Sequence, residues 1–198
     1  MPRTIDYYFA TISPYAYLGH DRFAAIAQKH GATVAVKPIN LGEVFPVSGG
    51  LPLSKRAPQR QAYRLVELER WAQYLGKPMR IQPQYFPVNG DLAAYWILAA
   101  AESGPAQALA LAGAVGRAIW EQDRNIADAA TMEAIAAECG LPKSLAQRAQ
   151  APEIVEKYAA LTREAIARGV FGAPTYIVED ELFWGQDRLD FLDRKMAK

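Results

Sequence analysis

The chain predicts an α/β fold in which a β-α-β unit at the start and a β-β-α unit at the end are separated by a long block of helices. Three observations carry that expectation. Residues 4–9 and 33–38 alternate as strands do and flank a stretch with helical spacing; residues 59–168 are helical in period and rich in alanine; and the chain returns to β character at Thr175-Tyr176-Ile177-Val178 and Leu182-Phe183-Trp184.

Each element follows in order. Thr4 to Phe9 is rich in aromatic and β-branched residues, which suit a pleated surface. Pro14 suits the first turn of a helix, where a missing N–H is no loss, and its ring pushes Ser13 out of α geometry, so Ser13 falls at the cap. Phe23, Ile26 and Ala27 carry that helix to a stop at Lys29-His30-Gly31. Thr33 to Pro38 forms the second strand, parallel to the first. From Asn40 to Pro58 the segment is punctuated by Gly42, Pro46, Gly49, Gly50, Pro52 and Pro58, and reads as a long functional loop. Helices are expected over Gln59–Tyr74, Asp91–Glu102, Gln107–Gln122, Ala130–Glu138, Pro142–Gln150 and Ala151–Ala167, with Gly and Pro between them. A hairpin turning at Glu179-Asp180-Glu181 leads to a last helix beginning near Asp187. Without the helical block, βαβ plus ββα is the arrangement of the thioredoxin fold. The expected division is a thioredoxin-like domain of residues 1–58 and 169–198, with an inserted helical domain of residues 59–168.

Composition narrows the function. The 198 residues are 51% hydrophobic and 22% charged, with a net charge of +1 and no run of Lys or Arg, so nothing electrostatic calls for nucleic acid or an anionic membrane as partner. The apolar run Leu92 to Ala101 is far short of the roughly 20 residues that span a bilayer, and the opening residues lack the pattern of a secretory signal. A cytoplasmic protein with a small-molecule partner is expected. A single cysteine, Cys139, allows neither an internal disulfide nor a CxxC redox pair, and its place at a helix stop suits a packed, inert thiol. His20 and His30 lack further ligands at useful spacing, so no metal is expected; His30 suits a helix C-terminus.

Two stretches carry chemistry. In Ser13-Pro14-Tyr15-Ala16-Tyr17-Leu18 a strand gives way to a helix N-terminus, with Ser13 either a cap alone or a donor at a reaction centre. In Gly172-Ala173-Pro174-Thr175 a proline stands directly before an apolar strand. It is either an ordinary strand-entry proline or a cis-proline whose preceding residue offers a free backbone edge to an extended peptide. Together with Pro38 to Gly42, Phe86-Pro87-Val88-Asn89 and Trp184-Gly185-Gln186-Asp187-Arg188, these blocks resemble the glutathione-dependent branch of the thioredoxin superfamily with a DsbA-like helical insertion. They most resemble the 2-hydroxychromene-2-carboxylate isomerases and the related kappa-class glutathione transferases.

The resemblance implies a glutathione-dependent isomerase linking ring-closed chromene and open-chain benzylidenepyruvate forms of an aromatic 2-oxo acid, as in the breakdown of naphthalene-like compounds. It implies that Ser13 occupies the place of the nucleophilic cysteine of dithiol oxidoreductases and stabilises a thiolate supplied by glutathione. Ala173 and Pro174 would meet the cysteinyl part of glutathione, and Gln186 and Asp187 its γ-glutamyl end; Asp187 equally suits a helix cap. The family's asparagine after the loop glycine is replaced by Gly50, which leaves that contact open. Lys55 and Arg56 either meet an anionic group or are simply solvated. Tyr15, Tyr17, Asn40 and Asn89 are substrate-side candidates, with core packing the alternative for the tyrosines and a helix cap for Asn89. The rival readings are a kappa-like transferase that releases a stable conjugate and a binding protein without turnover. The family tends to dimerise, so a homodimer is possible.

Overall fold

Alternation along the first strand sends Ile5, Tyr7 and Phe9 into one hydrophobic cluster and Tyr8 into another, so this strand is covered on both faces. The structure, a computed structural model, describes residues 3–198. Its one sheet contains β1 (Thr4–Phe9), β2 (Thr33–Pro38), β3 (Thr175–Val178) and β4 (Glu181–Trp184) in the order β2-β1-β3-β4. β2 runs parallel to β1 with Phe9 opposite Pro38, β3 runs antiparallel to β1 with Tyr8 opposite Thr175, and β4 runs antiparallel to β3 with Thr175 opposite Trp184.

On one face Tyr7 stacks on Phe9 (ring centroids 4.5 Å apart) and on Tyr176 (5.4 Å), and all three lie beneath α1 (Pro14–Lys29), whose Phe23 meets Tyr7 at 4.7 Å. Residues of the helical block join the same cluster, from α3 (Pro58–Leu75), α4 (Asp91–Ala100), α5 (Pro105–Trp120), α6 (Ala129–Glu138) and α7 (Leu145–Ala149), as do residues of α9 (Leu189–Met196). The apolar core therefore runs without a break from the sheet into the helices. On the other face Tyr8 and Ile177 pack with Val44 of α2 (Leu41–Ser48) and Ala165 of α8 (Pro152–Ala167). Lys37 of β2 ties that side down, with Asp6 at 2.8 Å and Glu164 of α8 at 2.7 Å.

Two expectations are corrected. The segment Asn40 to Pro58 is not a continuous loop: it contains α2 and a 3-10 turn, Leu53–Lys55. Pro46 lies inside α2 and removes one helical hydrogen bond, but other contacts outweigh that loss. Asn40 caps the helix, its Oδ1 accepting from the Gly42 N–H at 2.8 Å and its Nδ2 donating to Glu43 at 3.1 Å; Val44 is wholly buried; and Gly49, at φ 76°, ends the helix in the left-handed region. The last helix also differs, since Gln186–Arg188 forms a 3-10 turn before α9 begins at Leu189. Two X-Pro bonds are cis, Ala173-Pro174 and Phe86-Pro87.

Candidate functional site

The parallel pairing of β1 and β2 and the antiparallel pairing of β3 bring three chemically distinct segments to one end of the sheet. The first is the turn from β1 into α1. Ser13 takes extended dihedrals (φ −73°, ψ 121°), its N–H donates to the Ala10 carbonyl at 2.9 Å, and its Oγ accepts from the Ala16 N–H at 3.2 Å. The hydroxyl is thus the N-cap, and its own hydrogen has no acceptor among the described residues. Ser13 is 8% exposed, at the positive end of a helix of 16 residues.

The second segment enters β3. The β1–β3 pairing ends at Tyr8 opposite Thr175, so the Ala173-Pro174 step lies just beyond it, at the end of the sheet where β1 runs on to Ala10, the residue whose carbonyl holds Ser13. Thr175 fixes this turn by donating from Oγ1 to the Gly172 carbonyl at 2.8 Å, and Gly185 N–H donates to the Pro174 carbonyl at 2.9 Å. Among the described residues no hydrogen bond engages the backbone of Ala173.

The third segment follows β4. Gln186 is 2% exposed and packs on α1 at Gly19, where a Cβ would come within 2.8 Å of its own Cβ. Arg22 Nη2 donates both to the Gln186 carbonyl, at 3.0 Å, and to its side-chain oxygen. Gln186 is therefore clamped to α1 by its side chain. Asp187 makes no cap bond; its Oδ1 lies over Gly185, where a Cβ would stand 2.4 Å away, and Oδ2 meets Arg188 at 2.6 Å. A short clamp thus ties the strap holding Asp187 to the helix that begins at Ser13.

The remaining candidates surround this end unequally. Asn40 follows β2, beside the Ile39 N–H that donates to Phe9 at 2.9 Å, with both ends of its side chain engaged in the α2 cap. Asn89 accepts from the Asp91 N–H at 2.7 Å, and the neighbouring Gly90 carbonyl accepts from Thr11 Oγ1 at 3.0 Å, so the Phe86–Gly90 loop abuts the turn that leads to Ser13. Tyr17 is buried at 3%, its hydroxyl donating to Glu121 at 2.6 Å; burial first, and then Glu121, raise its pKa far above the usual range. Tyr17 packs rather than presents a free hydroxyl. Tyr15 is half-buried beside α3, and its pKa is also raised, chiefly by burial. Lys55 is exposed on the 3-10 turn, while Arg56 is half-buried and donates from Nε to the Leu51 carbonyl at 2.8 Å. At Gly50, a Cβ would stand 2.3 Å from the Phe45 ring, so that ring takes the room a side chain would need.

Two nearby residues do not figure among the site residues expected from the sequence. His20, two turns beyond Ser13 on α1, is 8% exposed, and burial pushes its pKa down to about 4. Arg64 sits on the inner stripe of α3, one turn before the fully buried Leu68, with its guanidinium 5.0 Å from the Phe86 ring centroid. The available signal was a cation standing where the apolar stripe Leu68, Trp71, Leu75 continues backwards by one turn. Cys139 closes α6 half-buried, its pKa raised chiefly by burial. Among the described residues no group of three or more His, Cys, Asp or Glu is assembled that could hold a metal ion, and no helix is long and apolar enough to cross a membrane.

Comparison with known proteins follows the same lines. Residues 4–197 match the DSBA-like thioredoxin domain. The 2-hydroxychromene-2-carboxylate isomerase of Pseudomonas putida is 32% identical, the match covering 98% of this chain and 94% of that one. A solved structure of a 2-hydroxychromene-2-carboxylate isomerase superposes with a TM-score of 0.82 at 30% identity, over 98% of this chain and 94% of the other. Glutathione S-transferase kappa 1 of Homo sapiens is more distant, 21% identical over 97% of this chain and 90% of its own.

Proposed function

Since the chain belongs to the DSBA-like thioredoxin domain family and, within it, to the 2-hydroxychromene-2-carboxylate isomerases, we propose that it interconverts 2-hydroxychromene-2-carboxylate and trans-o-hydroxybenzylidenepyruvate-type acids with glutathione as cofactor. The observation that carries the reading is Ser13. Its oxygen is spent on the Ala16 N–H and, among the described residues, its hydrogen is unspent, at a buried helix N-terminus at the same end of the sheet as Ala173, whose backbone makes no hydrogen bond among the described residues. That set suits a thiol-bearing peptide: Ala173 offers one N–H and one C=O to a strand-like cysteinyl unit, and Asp187 offers a carboxylate to an ammonium.

Glutathione, when bound, would supply a thiolate nucleophile for reversible addition to the conjugated C=C bond, with Ser13 holding its sulfur and Ala173, Gln186 and Asp187 its peptide. The chain's part is electrostatic and positional. A thiol of pKa about 8.5 is only a few per cent ionised at neutral pH, so one donated hydrogen bond and the helix N-terminus shift the balance toward the anion without a residue that accepts charge. Serine suffices because the site stabilises a sulfur anion and does not have to provide one. Ala173 and the clamped strap at Gln186 and Asp187 hold the peptide in one orientation, which removes much of the entropic cost of the bimolecular step.

The test is spectrophotometric. Purified protein is mixed with 2-hydroxychromene-2-carboxylate with and without glutathione, and the absorbance change is followed to equilibrium. Glutathione-dependent interconversion supports the reading; its absence overturns it. The likeness to a kappa transferase supports a second reading, in which a stable thioether accumulates and glutathione is consumed. Chromatography of the same mixture separates the two.

A further inference from the structure

Arg64 is a cation whose charge the site leaves unanswered. Its guanidinium lies over the Phe86 ring at 5.0 Å and stands 6.0 Å from the Trp120 ring centroid, half-buried on the inner side of α3. Among the described residues it has neither an ion-pair partner nor a hydrogen-bond acceptor. Glu67, the carboxylate one turn further on, is turned to Arg70 at 3.1 Å. Burial lowers the pKa of Arg64, and Arg56, a charge of the same sign, lowers it further. A guanidinium in that setting is unfavourable unless an anion joins it, and stacking on an aromatic face recovers only part of the cost.

Its position is informative as well. Phe86 opens the loop that reaches Gly90, and Gly90 is bonded to Thr11, two residues before Ser13; Tyr15, which feels the Arg64 charge, stands two residues after Ser13. The guanidinium therefore neighbours Tyr15, which follows Ser13, and the loop whose far end is bonded to Thr11, which precedes it. A guanidinium stacked by its face keeps its in-plane N–H groups free, and that fork matches both oxygens of a carboxylate.

We propose that Arg64 binds the carboxylate of the organic substrate, an aryl 2-oxo acid, and so positions the chain to be attacked against the N-terminus of α1. This assignment rests on the isomerase reading above. Glutathione carries carboxylates too, but the aromatic surroundings of Phe86, Trp120 and Tyr15 suit an aryl acid better than a glycyl end.

The test measures binding apart from turnover. Tryptophan fluorescence titrations with phenylpyruvate and with its methyl ester are run on the wild-type protein, R64M and R64K, and glutathione binding is followed by calorimetry on the same samples. R64M is expected to weaken phenylpyruvate binding by roughly 10- to 100-fold, as for loss of a charge-assisted pair. R64K should recover part of that loss, and the ester should bind wild type and R64M alike. With 2-hydroxychromene-2-carboxylate as substrate, R64M should lower kcat/KM by at least a similar factor. The assignment is overturned if R64M binds phenylpyruvate as wild type does, if wild type does not prefer acid to ester, or if R64M loses glutathione affinity instead. An acid preference that depends on Arg64, in a wild-type protein without glutathione-dependent turnover, would sustain the anion site and overturn the isomerase reading.

Discussion

His20 should make this protein lose stability as the pH falls below neutrality, and the size of the loss follows from where the ring sits. The imidazole is 8% exposed and lies against α5 at Gly113, where a Cβ would come within 2.5 Å of Nε2. Burial disfavours its charged form; Asp21 opposes that effect, Lys77 and Arg117 reinforce it, and the net result is a pKa of about 4 against 6.5 when unperturbed. A histidine with a depressed pKa in the folded state binds its proton first in the unfolded state. Its neutral form therefore costs the fold nothing above pH 6.5, stability drains away as pH drops through 6.5 toward 4, and the loss levels off at roughly 3 kcal/mol below that. Between pH 7.5 and pH 5 the share due to His20 is about 2 kcal/mol. The assay is urea unfolding followed by far-UV circular dichroism at those two pH values, for wild type and H20L. With an m-value of about 2 kcal/mol/M, the wild-type midpoint should fall by about 1 M more than that of H20L. Because the readout is a difference between two pH values within each protein, any packing cost of leucine cancels. Equal losses in both proteins would refute the reasoning.

Other outcomes follow from the same contacts. S13A should cost about 1 kcal/mol of stability, the worth of a cap, yet lower kcat/KM of the glutathione-dependent reaction by ~100-fold or more; unchanged turnover would mean that the helix amides alone hold the thiolate. G113A drives a methyl group into the His20 ring and should destabilise by about 1–3 kcal/mol in urea unfolding, and H20A in the same chain should recover most of that; no recovery would place the strain elsewhere. G19A pushes a Cβ onto Gln186, 2.8 Å from its Cβ and 3.4 Å from its Cα, so it should displace the strap and raise the KM for glutathione about tenfold with a smaller effect on kcat. An unchanged KM would separate the strap from glutathione binding.

Much of the fold could be read directly. The four strands fall where alternation and β-branched or aromatic residues place them, and α1 begins at Pro14 because Ser13-Pro14 states a cap and a first turn in two residues. Helix limits in the central block agree to within a few residues; the prolines taken as breaks at Pro58 and Pro105 are instead the first residues of α3 and α5, as Pro152 is of α8. The segment after β2 was misread because its Gly and Pro residues speak locally for a loop. The burial of Val44 between Tyr8, Ile177 and Ala165 is a property of the assembled sheet face and of α8, more than a hundred residues away in sequence.

The site divides in the same manner. Ser13, Ala173, Pro174, Gln186 and Asp187 stand in short blocks whose resemblance to a family singled them out, and the sheet pairings bring those blocks to one end. Arg64 and His20 could not be singled out in this way, because an arginine or a histidine within an amphipathic helix looks like any solvated charge until its neighbours are known. What the sequence by itself determined is local: caps, strand faces and helix starts, all set by residues a few positions apart. Only the tertiary structure decided which polar groups lost their water. Desolvation of His20, the lack of a counter-ion for Arg64 among the described residues and the clamp of Arg22 on Gln186 all depend on elements that meet across more than twenty residues of chain, and the electrostatics follows from that meeting.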